Sequence, residues 1–242
     1  MFQPPFVAAS AADESLLQSG QAVLAPQGTA EWLGLPLAKL LALQPFWDDL
    51  RPDGYLKDGG RYRARRHSCY VVDGETITAT PRRAHWQPLD YNALHGGIER
   101  WYEPVDPTMA AHPAFQALLR RLARSASRLR GTQPWYVEVH PFRIDTEGGI
   151  GRPTPEGAHR DGVDLVAVLL LARTHIKGGE TRVFEADGPA GQRFTLTQAG
   201  SLLLLDDPRM IHEATPIQPD GAARGHRDTL VITLRSGGFQ GP

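Results

Sequence analysis

The stretch from Glu156 to Asp164 reads Glu-Gly-Ala-His-Arg-Asp-Gly-Val-Asp, and the apolar run Leu-Val-Ala-Val-Leu-Leu-Leu-Ala follows it directly at 165–172. An uninterrupted apolar run of this length predicts a buried β-strand. On extended backbone, side chains at positions i and i+2 point to the same side of a sheet. We therefore expect His159 and Asp161 to reach one metal ion together from the start of this strand.

A second apolar stretch, at 200–212, brings another histidine and reads Gly-Ser-Leu-Leu-Leu-Leu-Asp-Asp-Pro-Arg-Met-Ile-His. The pattern predicts a buried strand with His212 just after its end. Two histidines and one carboxylate leave coordination positions open, which is the facial arrangement that non-haem Fe(II) oxygenases use. The chain contains nine histidines, however, so a histidine pair beside an acid can also arise by chance. On the residues alone, a metal site and ordinary structural histidines both stay open.

The segment 226–235, His-Arg-Asp-Thr-Leu-Val-Ile-Thr-Leu-Arg, predicts a final strand with two different faces. Positions 230, 232 and 234 are apolar, whereas Arg227 and Thr229 begin the opposite face. A guanidinium and a hydroxyl two residues apart make a suitable fork for a carboxylate. Arg224 and Arg235 are neighbouring alternatives for such an anchor. The interpretation that Arg227 merely begins a strand beside solvent also stays open.

The composition is that of an ordinary globular chain. Its 242 residues are 41% hydrophobic and 22% charged, and this length suits one large domain. We predict a single domain, 1–242, in which 1–132 form a mixed helical and hairpin cover and 133–242 form most of the metal-binding β core. The formal net charge of -1 excludes a general electrostatic attraction to nucleic acid or to an anionic membrane. We expect neither as a partner.

Cysteine usage and the N-terminal sequence bear on the cellular compartment. Cys69 is the only cysteine, which excludes an internal disulfide framework and a cysteine-rich zinc site. Residues 1–10 lack the basic region and sustained apolar core of a signal peptide. No apolar run approaches the roughly 18 residues that a membrane span requires. We expect a cytoplasmic protein.

The rest of the chain predicts a β core with helical cover. Residues 13–50 show helical patterns, and 113–130 is the most regular helix, with an apolar stripe and an arginine-rich surface. A hairpin is predicted at 68–78, turning at Asp-Gly, whereas 81–112 has no clear period. From residue 135 onward, short strands alternate with Gly- and Pro-rich loops, which indicates an antiparallel sandwich or barrel.

A basic cluster precedes the predicted hairpin and consists of Arg61, Arg63, Arg65 and Arg66. Arginines at this density can bind phosphate. A solvated strand edge is the interpretation that we favour.

Four stretches, in this order, resemble the bacterial 2OG-Fe dioxygenase family that includes free L-isoleucine hydroxylase, within the 2-oxoglutarate/Fe(II)-dependent dioxygenase superfamily. They are Glu-Gly-Ala-His-Arg-Asp-Gly-Val-Asp from 156, Ile-Lys-Gly-Gly-Glu from 176, Leu-Leu-Asp-Asp-Pro-Arg-Met-Ile-His from 204 and His-Arg-Asp-Thr-Leu-Val from 226. The segment 90–102, with Tyr-Asn-Ala-Leu-His-Gly-Gly, is also similar, though less distinctly. The motif His-x-Asp alone carries little information, but four stretches in the right order are specific, and the resemblance extends over 133–235, nearly half of the chain.

The resemblance implies a mainly β fold with flanking α-helices, built on a double-stranded β-helix (a jelly-roll, cupin-like core). It implies Fe(II) bound by His159, Asp161 and His212, which would be the catalytic centre. It also implies that Arg227, helped by Thr229, holds the distal carboxylate of the cosubstrate 2-oxoglutarate. Serine is often found where this chain has Thr229, and the hydroxyl is retained. The implied reaction couples decarboxylation of 2-oxoglutarate, which gives succinate and carbon dioxide, to hydroxylation of a small molecule by O2.

The expected substrate is a free aliphatic L-amino acid, because members of the resembled group act on such molecules. Glu138, His140 and Arg143 are chemically suited to its ammonium and carboxylate ends, although structural roles for each are equally open. The sequence assigns no oligomeric state.

Two other functions stay open at this point. One is a cupin-like metal enzyme that does not use 2-oxoglutarate. The other is a non-enzymatic binding protein related to stress or biofilms, which would keep the fold without turnover.

Overall fold

The computed structural model describes residues 2–92, 94–221 and 224–241. Within these ranges the helices are α1 (Ala12–Ser19), α2 (Pro26–Leu33), α3 (Leu37–Leu41), α4 (Pro107–Ala110) and α5 (Pro113–Arg130). The strands are β1 (Gln21–Leu24), β2 (Arg51–Pro52), β3 (Arg63–Arg65), β4 (Ser68–Asp73), β5 (Thr76–Ala79), β6 (Trp135–Asp145), β7 (Leu165–Thr174), β8 (Ile176–Gly178), β9 (Thr181–Glu185), β10 (Gly191–Phe194), β11 (Leu202–Asp206), β12 (Met210–Ala214), β13 (Ile217–Pro219) and β14 (His226–Arg235). Short 3-10 turns lie at Ala9–Ala11 and Gln44–Trp47.

The strands form a large sheet and two small ones. The large sheet has the order β1-β11-β7-β14-β6-β3-β2, and the hairpin β4-β5 joins it through β6. The small sheets are β10-β9-β12 and β13-β8. Side chains of the large sheet and of β9 and β12 line one shared cavity. This is the predicted mainly β, jelly-roll architecture, and the expectation of such a fold is confirmed.

The two faces of β14 separate the hydrophobic core from the cavity. Leu230, Ile232 and Leu234 are fully buried in the cluster beneath the helices. Arg227 and Thr229, with the alternate positions that follow them, line the cavity instead. The two faces predicted for this strand are confirmed, and they result from the period-two alternation of β structure.

The helical cover packs on the outer face of the large sheet. Helix α5 has the predicted bounds, with proline at its first position and Gly131 after its last. Its apolar stripe packs into the cluster that also holds the outer face of β14, where Phe115 and Leu122 are completely buried and Leu129 is partly buried. Cover and core thus share one hydrophobic cluster. That the chain is one domain stays a prediction, which this shared cluster supports.

The structure corrects the local predictions at several places. Within the segment expected to be helical, Gln21–Leu24 form β1, which pairs with β11 at the edge of the large sheet. His212 lies inside β12 rather than after a strand. His159 and Asp161 lie in irregular backbone before β7, and a single bridge joins His159 to His212. Among the described residues, no helix has the length and apolar character needed to cross a bilayer.

The interpretation of the basic cluster as a solvated strand edge is wrong for two of its four arginines. Arg63 and Arg65 are only 6% and 3% exposed and line the cavity from β3, whereas Arg61 is exposed and Arg66 is half-buried. The sequence pattern could not reveal this, because β3 has three residues and pairs with Phe142–Ile144 of β6, far along the chain.

Replacing Leu122 by Ala tests how much the cover contributes to stability. Leu122 is completely buried beneath α5, so the truncation should lower the free energy of unfolding by about 2–5 kcal/mol. Urea unfolding measures this change. Leu17→Ala on α1, where the side chain is 38% exposed, is the matched control and should cost less than about 1 kcal/mol. Equal losses in both variants would contradict the assignment of α5 to the core.

Candidate active site

Three side chains from two distant segments of the chain, 159–161 and 212, meet in the cavity. His159 Nε2 lies 3.7 Å from Asp161 Oδ1, and His212 Nε2 lies 3.7 Å from Asp161 Oδ2. The three side chains are 11%, 14% and 12% exposed. Their ligand atoms all fall within 4.8 Å of one another, so they can hold one metal ion. The structure therefore brings together the three residues that the sequence singled out.

The hydrogen bonding of His159 suits a metal ligand. Its Nδ1 lies 2.9 Å from the carbonyl oxygen of Gly157, which can only accept. The proton of the neutral ring is therefore on Nδ1, and the lone pair of Nε2 points toward Asp161. His212 Nδ1 is buried without a partner among the described residues. Two histidine nitrogens and a carboxylate are a donor set that fits Fe(II).

Asp207 shapes the backbone that carries Asp161. Its carboxylate accepts hydrogen bonds from the backbone N–H groups of Asp161 (2.9 Å), Gly162 (2.8 Å) and Val163 (3.1 Å). Burial, together with the charge of Asp161, raises the pKa of Asp207 to about 7, whereas the three N–H groups act in the opposite direction. The sequence motif that contains Asp207 was noted for His212, but this loop-shaping role was missed.

Gln87 orients the carboxylate of Asp161. Its Oε1 accepts hydrogen bonds from Asn92 and Arg100, so its amide nitrogen must face the other way and donates to Asp161 Oδ1 at 3.1 Å. Gln87 lies in the segment without clear period. No signal in the sequence pointed to it, because the contact bridges 74 positions.

Arg227 presents a buried guanidinium in the same cavity. It is 5% exposed, and its Nε is buried without a hydrogen-bond partner among the described residues. Burial and the nearby charge of Arg173 lower the pKa of Arg227 to about 10. Thr229 follows on the same strand face and is 2% exposed. A buried cation without a counterion is costly, so this end of the cavity is suited to an anion.

Gly179, the residue directly after β8, allows the chain to pack closely beside Arg227, because a Cβ there would lie 3.8 Å from Arg227 Cδ. A Cβ at Gly179 would lie 2.9 Å from Ile217 Cγ2 and 3.1 Å from Arg173 Nη1. Gly179 also has a φ of +65°, which glycine adopts without strain.

The other carboxylate anchors considered are placed differently. Arg224 is exposed and forms an ion pair with Glu147. Arg235 Nη1 donates to the carbonyl oxygen of Gly238 at 2.7 Å. Arg143 was a candidate for binding substrate, but it is paired with Asp228 and does not line the cavity.

A second buried cluster is formed by His67, His85, Glu138 and His140. His85, Glu138 and His140 line the same cavity, whereas His67 does not. Glu138 Oε2 is 2.9 Å from His67 Nε2 and 2.8 Å from His85 Nδ1. Burial acts to raise the pKa of Glu138, but the hydrogen bonds from the two histidines outweigh it and keep this pKa well below its usual range. Burial lowers the pKa of His85 to about 3. The cluster is therefore one carboxylate surrounded by neutral imidazoles.

Comparison with known proteins identifies the family. The model of the 2OG-Fe dioxygenase family matches residues 44–233. The chain belongs to the 2OG-Fe dioxygenase family. It is therefore a dioxygenase that uses Fe(II) and 2-oxoglutarate. The more specific resemblance to free L-isoleucine hydroxylase stays a prediction.

Solved structures similar to this dioxygenase agree with its fold. A bsmA homolog from Methylobium petroleophilum PM1 is 50% identical, with 99% of this chain and 98% of that chain covered and a TM-score of 0.93. IDO from Bacillus thuringiensis is 16% identical, with 98% and 100% covered and a TM-score of 0.77. The Fe(II)/(alpha)ketoglutarate-dependent dioxygenase TqaL is 19% identical, with 96% and 90% covered and a TM-score of 0.72. The last two show similarity of fold alone. No curated protein sequence matches the dioxygenase.

Replacing Asp207 by Ala tests its role in the dioxygenase. The variant leaves three loop N–H groups without their acceptor, so the free energy of unfolding should fall by about 2–4 kcal/mol. The affinity for Fe(II), measured by anaerobic titration, should fall roughly ten- to hundredfold because Asp161 loses its support. Asp187→Ala, at an exposed aspartate, is the control. Unchanged iron affinity in Asp207→Ala would contradict this role.

The second cluster predicts that the dioxygenase is destabilised by acid. The pKa values of Glu138 and His85 are both lowered in the folded state, so the unfolded chain binds more protons as the pH falls. Stability should fall as the pH drops below about 6.5, by up to about 1.4 kcal/mol per pH unit for each histidine that gains its proton only on unfolding. Urea unfolding between pH 7.5 and 5.5 measures the slope. His85→Asn, which keeps an N–H donor near Glu138, should reduce this slope, whereas His175→Asn at an exposed position should not. Equal slopes in both variants would refute the explanation.

Proposed function

We propose that this dioxygenase is a small-molecule hydroxylase in which His159, Asp161 and His212 bind Fe(II). Arg227, helped by Thr229, binds the distal carboxylate of 2-oxoglutarate. The observation that carries the proposal is the buried Arg227 guanidinium, whose Nε has no hydrogen-bond partner among the described residues, in the same cavity as the two histidines and the aspartate. Burying a cation without a counterion is costly, so an anionic ligand at this position would offset the cost.

Three observations support the iron ligands. The donor atoms converge, the tautomer of His159 leaves Nε2 available, and Asp207 and Gln87 fix the aspartate from the backbone and from the side chain. Hydrogen-bonded support of this kind orients ligands and tunes metal affinity.

When bound, Fe(II) supplies the oxidative chemistry, with one oxygen atom of O2 ending in succinate and the other in the hydroxylated product. The protein orients the reactants and excludes water. Arg227 neutralises the distal carboxylate of 2-oxoglutarate. This contact orients the cosubstrate so that its opposite end extends into the cavity. Val168, Leu203 and Val231 contribute apolar walls to this cavity. Such walls strengthen electrostatic contacts and exclude water from the reacting carbon.

We propose a free aliphatic L-amino acid as the substrate. The cavity combines these apolar walls with charged groups at a limited number of positions, which suits a small molecule with a hydrocarbon body and ionic ends. Membership of the family favours this function over the two alternatives, a cupin-like enzyme that does not use 2-oxoglutarate and a binding protein without turnover. Cytoplasmic localisation also stays a proposal and rests on the single, buried cysteine.

Two substitutions test the two halves of the proposed site. Arg227→Met should raise the KM for 2-oxoglutarate roughly tenfold or more, because a charge-assisted carboxylate contact is lost, while Fe(II) affinity is unchanged. His159→Ala should lose tight Fe(II) binding without unfolding. Succinate release is measured with Fe(II), ascorbate and a panel of L-amino acids, alongside anaerobic Fe(II) titration. Arg61→Met, at an exposed arginine, is the control.

The outcomes separate the two assignments. Unchanged 2-oxoglutarate kinetics in Arg227→Met would refute the cosubstrate anchor. Undiminished Fe(II) affinity in His159→Ala would refute the metal ligand. Mass spectrometry should detect the gain of one oxygen atom in an amino acid of the panel.

A further inference from the structure

Two further arginines in the cavity have the same property as Arg227. Arg65 is 3% exposed and Arg100 is 2% exposed, and each has a buried Nε without a partner among the described residues. The polar partners of Arg65 are Tyr102 and His140, and that of Arg100 is the amide oxygen of Gln87. Neither guanidinium touches a carboxylate within the described ranges. Asp53, whose carboxylate charge acts on both cations, is itself paired with Arg63 at 2.7 Å. Two buried cations that touch no carboxylate among the described residues favour the binding of an anionic group beside them.

The neighbouring Glu138 is a buried anion that touches no arginine or lysine in the part of the chain that the structure describes. It is 7% exposed, and among the described residues its ion-pair partners are histidines only: His67, His85 and His140. Because these histidines are neutral, as their lowered pKa values require, the carboxylate retains a full negative charge. The cavity wall therefore carries two guanidinium groups, of Arg65 and Arg100, and one carboxylate, of Glu138. Among the described residues, none of these three groups is in contact with a group of opposite full charge.

The tautomer of His140 argues against a metal ion in this second cluster. Arg65 Nη2 lies 2.6 Å from His140 Nδ1, and arginine can only donate, so Nδ1 accepts and the ring proton is on Nε2. It is Nε2 that faces Glu138, at 3.7 Å, where a metal would require a lone pair. The adjacent guanidinium further disfavours a divalent cation.

We propose that Arg100, reinforced by the charge of Arg65, binds the carboxylate of the substrate and that Glu138 binds its ammonium group. The inference rests on the proposed function and deepens it, because it assigns substrate contacts. The sequence alone places Arg65 at a solvated edge, does not single out Arg100, and leaves the role of Glu138 open. The substrate class is an α-amino acid with both ends free. A residue at the end of a peptide lacks one of the two charges and a residue inside a peptide lacks both, so either would leave Arg100 or Glu138 buried without its ligand group.

A chain of hydrogen bonds places this subsite next to the proposed metal centre. Arg100 Nη2 donates to Gln87 Oε1 at 2.9 Å, and Gln87 Nε2 donates to Asp161 Oδ1 at 3.1 Å. One side chain therefore separates the carboxylate-binding arginine from an iron ligand. A small amino acid held at Arg100 has its side chain within reach of the metal, which is the proximity that hydroxylation needs.

The test measures binding rather than turnover. The holoenzyme, loaded with Fe(II) and 2-oxoglutarate under anaerobic conditions, is titrated calorimetrically with the common L-amino acids as probes. The N-acetyl derivative and the methyl ester of each are titrated in parallel. At least one free amino acid should bind, and both of its derivatives should bind roughly tenfold to a hundredfold more weakly, since each loses one charge-assisted contact.

Variants then assign each contact. Arg100→Met should weaken binding of the free amino acid about tenfold or more, so that the free amino acid no longer binds more tightly than its methyl ester. Arg100→Lys should restore part of the affinity for the free amino acid and part of the preference over the ester. Glu138→Gln should reduce the advantage over the N-acetyl derivative. Arg61→Met and Glu31→Gln, at exposed positions, are the matched controls. Thermal unfolding of each variant verifies that it is folded.

The result that overturns the inference is specific. If 2-oxoglutarate binds and no free amino acid does, or if both derivatives bind as tightly as the free form, the zwitterion subsite is wrong and the cosubstrate site stands. If 2-oxoglutarate itself does not bind to the unmodified protein, the proposed function fails instead. Unaltered selectivity in Arg100→Met and Glu138→Gln would also refute the assignment.

Discussion

The pairing of β14 with β6 and β7 is the constraint on which the rest of the molecule depends. β14 is bonded on both sides over almost its whole length, so its register is fixed by two neighbours at once. A slip by one residue would turn its arginine and threonine into the hydrophobic core and its leucines into the cavity. Register, core packing and the position of the charged groups are therefore determined together.

The same alternation explains why the cavity tolerates so many charges. Several polar side chains that line the cavity are held by a neighbour that limits their orientation, as Arg65 holds His140 and as Asn92 and Arg100 hold Gln87. In a weakly polar interior these contacts are stronger than in water, but an unbalanced charge is also more costly. A charged ligand therefore gains the most binding free energy where a buried charge of the protein has no counterion.

The elements that follow from local pattern could be predicted from the sequence. Helix α5 has its apolar stripe and terminal signals within 18 residues, and the faces of β14 follow from strict alternation. The proposed metal ligands were found because residue types and spacing carry the chemistry. The motif did not reveal that His212 lies within a strand, because β12 is short and only partly buried.

The residues that were missed share a different physical origin. Arg65, Gln87 and Arg100 act through contacts with residues 13 to 75 positions away, and none belongs to a regular pattern. An arginine-rich segment has the same appearance whether it borders solvent or a cavity. Only the placement of β3 beside β6 decides between the two, and that placement is a property of the whole sheet.

The short strand β1 has a consequence for the behaviour of the polypeptide during synthesis. It covers β11, whose residues Leu202–Leu205 would otherwise present four consecutive leucines and a row of unpaired backbone groups at the end of the sheet. Exposed apolar edges of this kind recruit strands from other molecules. Because β1 lies near the amino terminus, it leaves the ribosome long before β11 and is already available when that edge emerges. Pairing with β1 thus removes an apolar edge at which this sheet could otherwise extend into a second molecule.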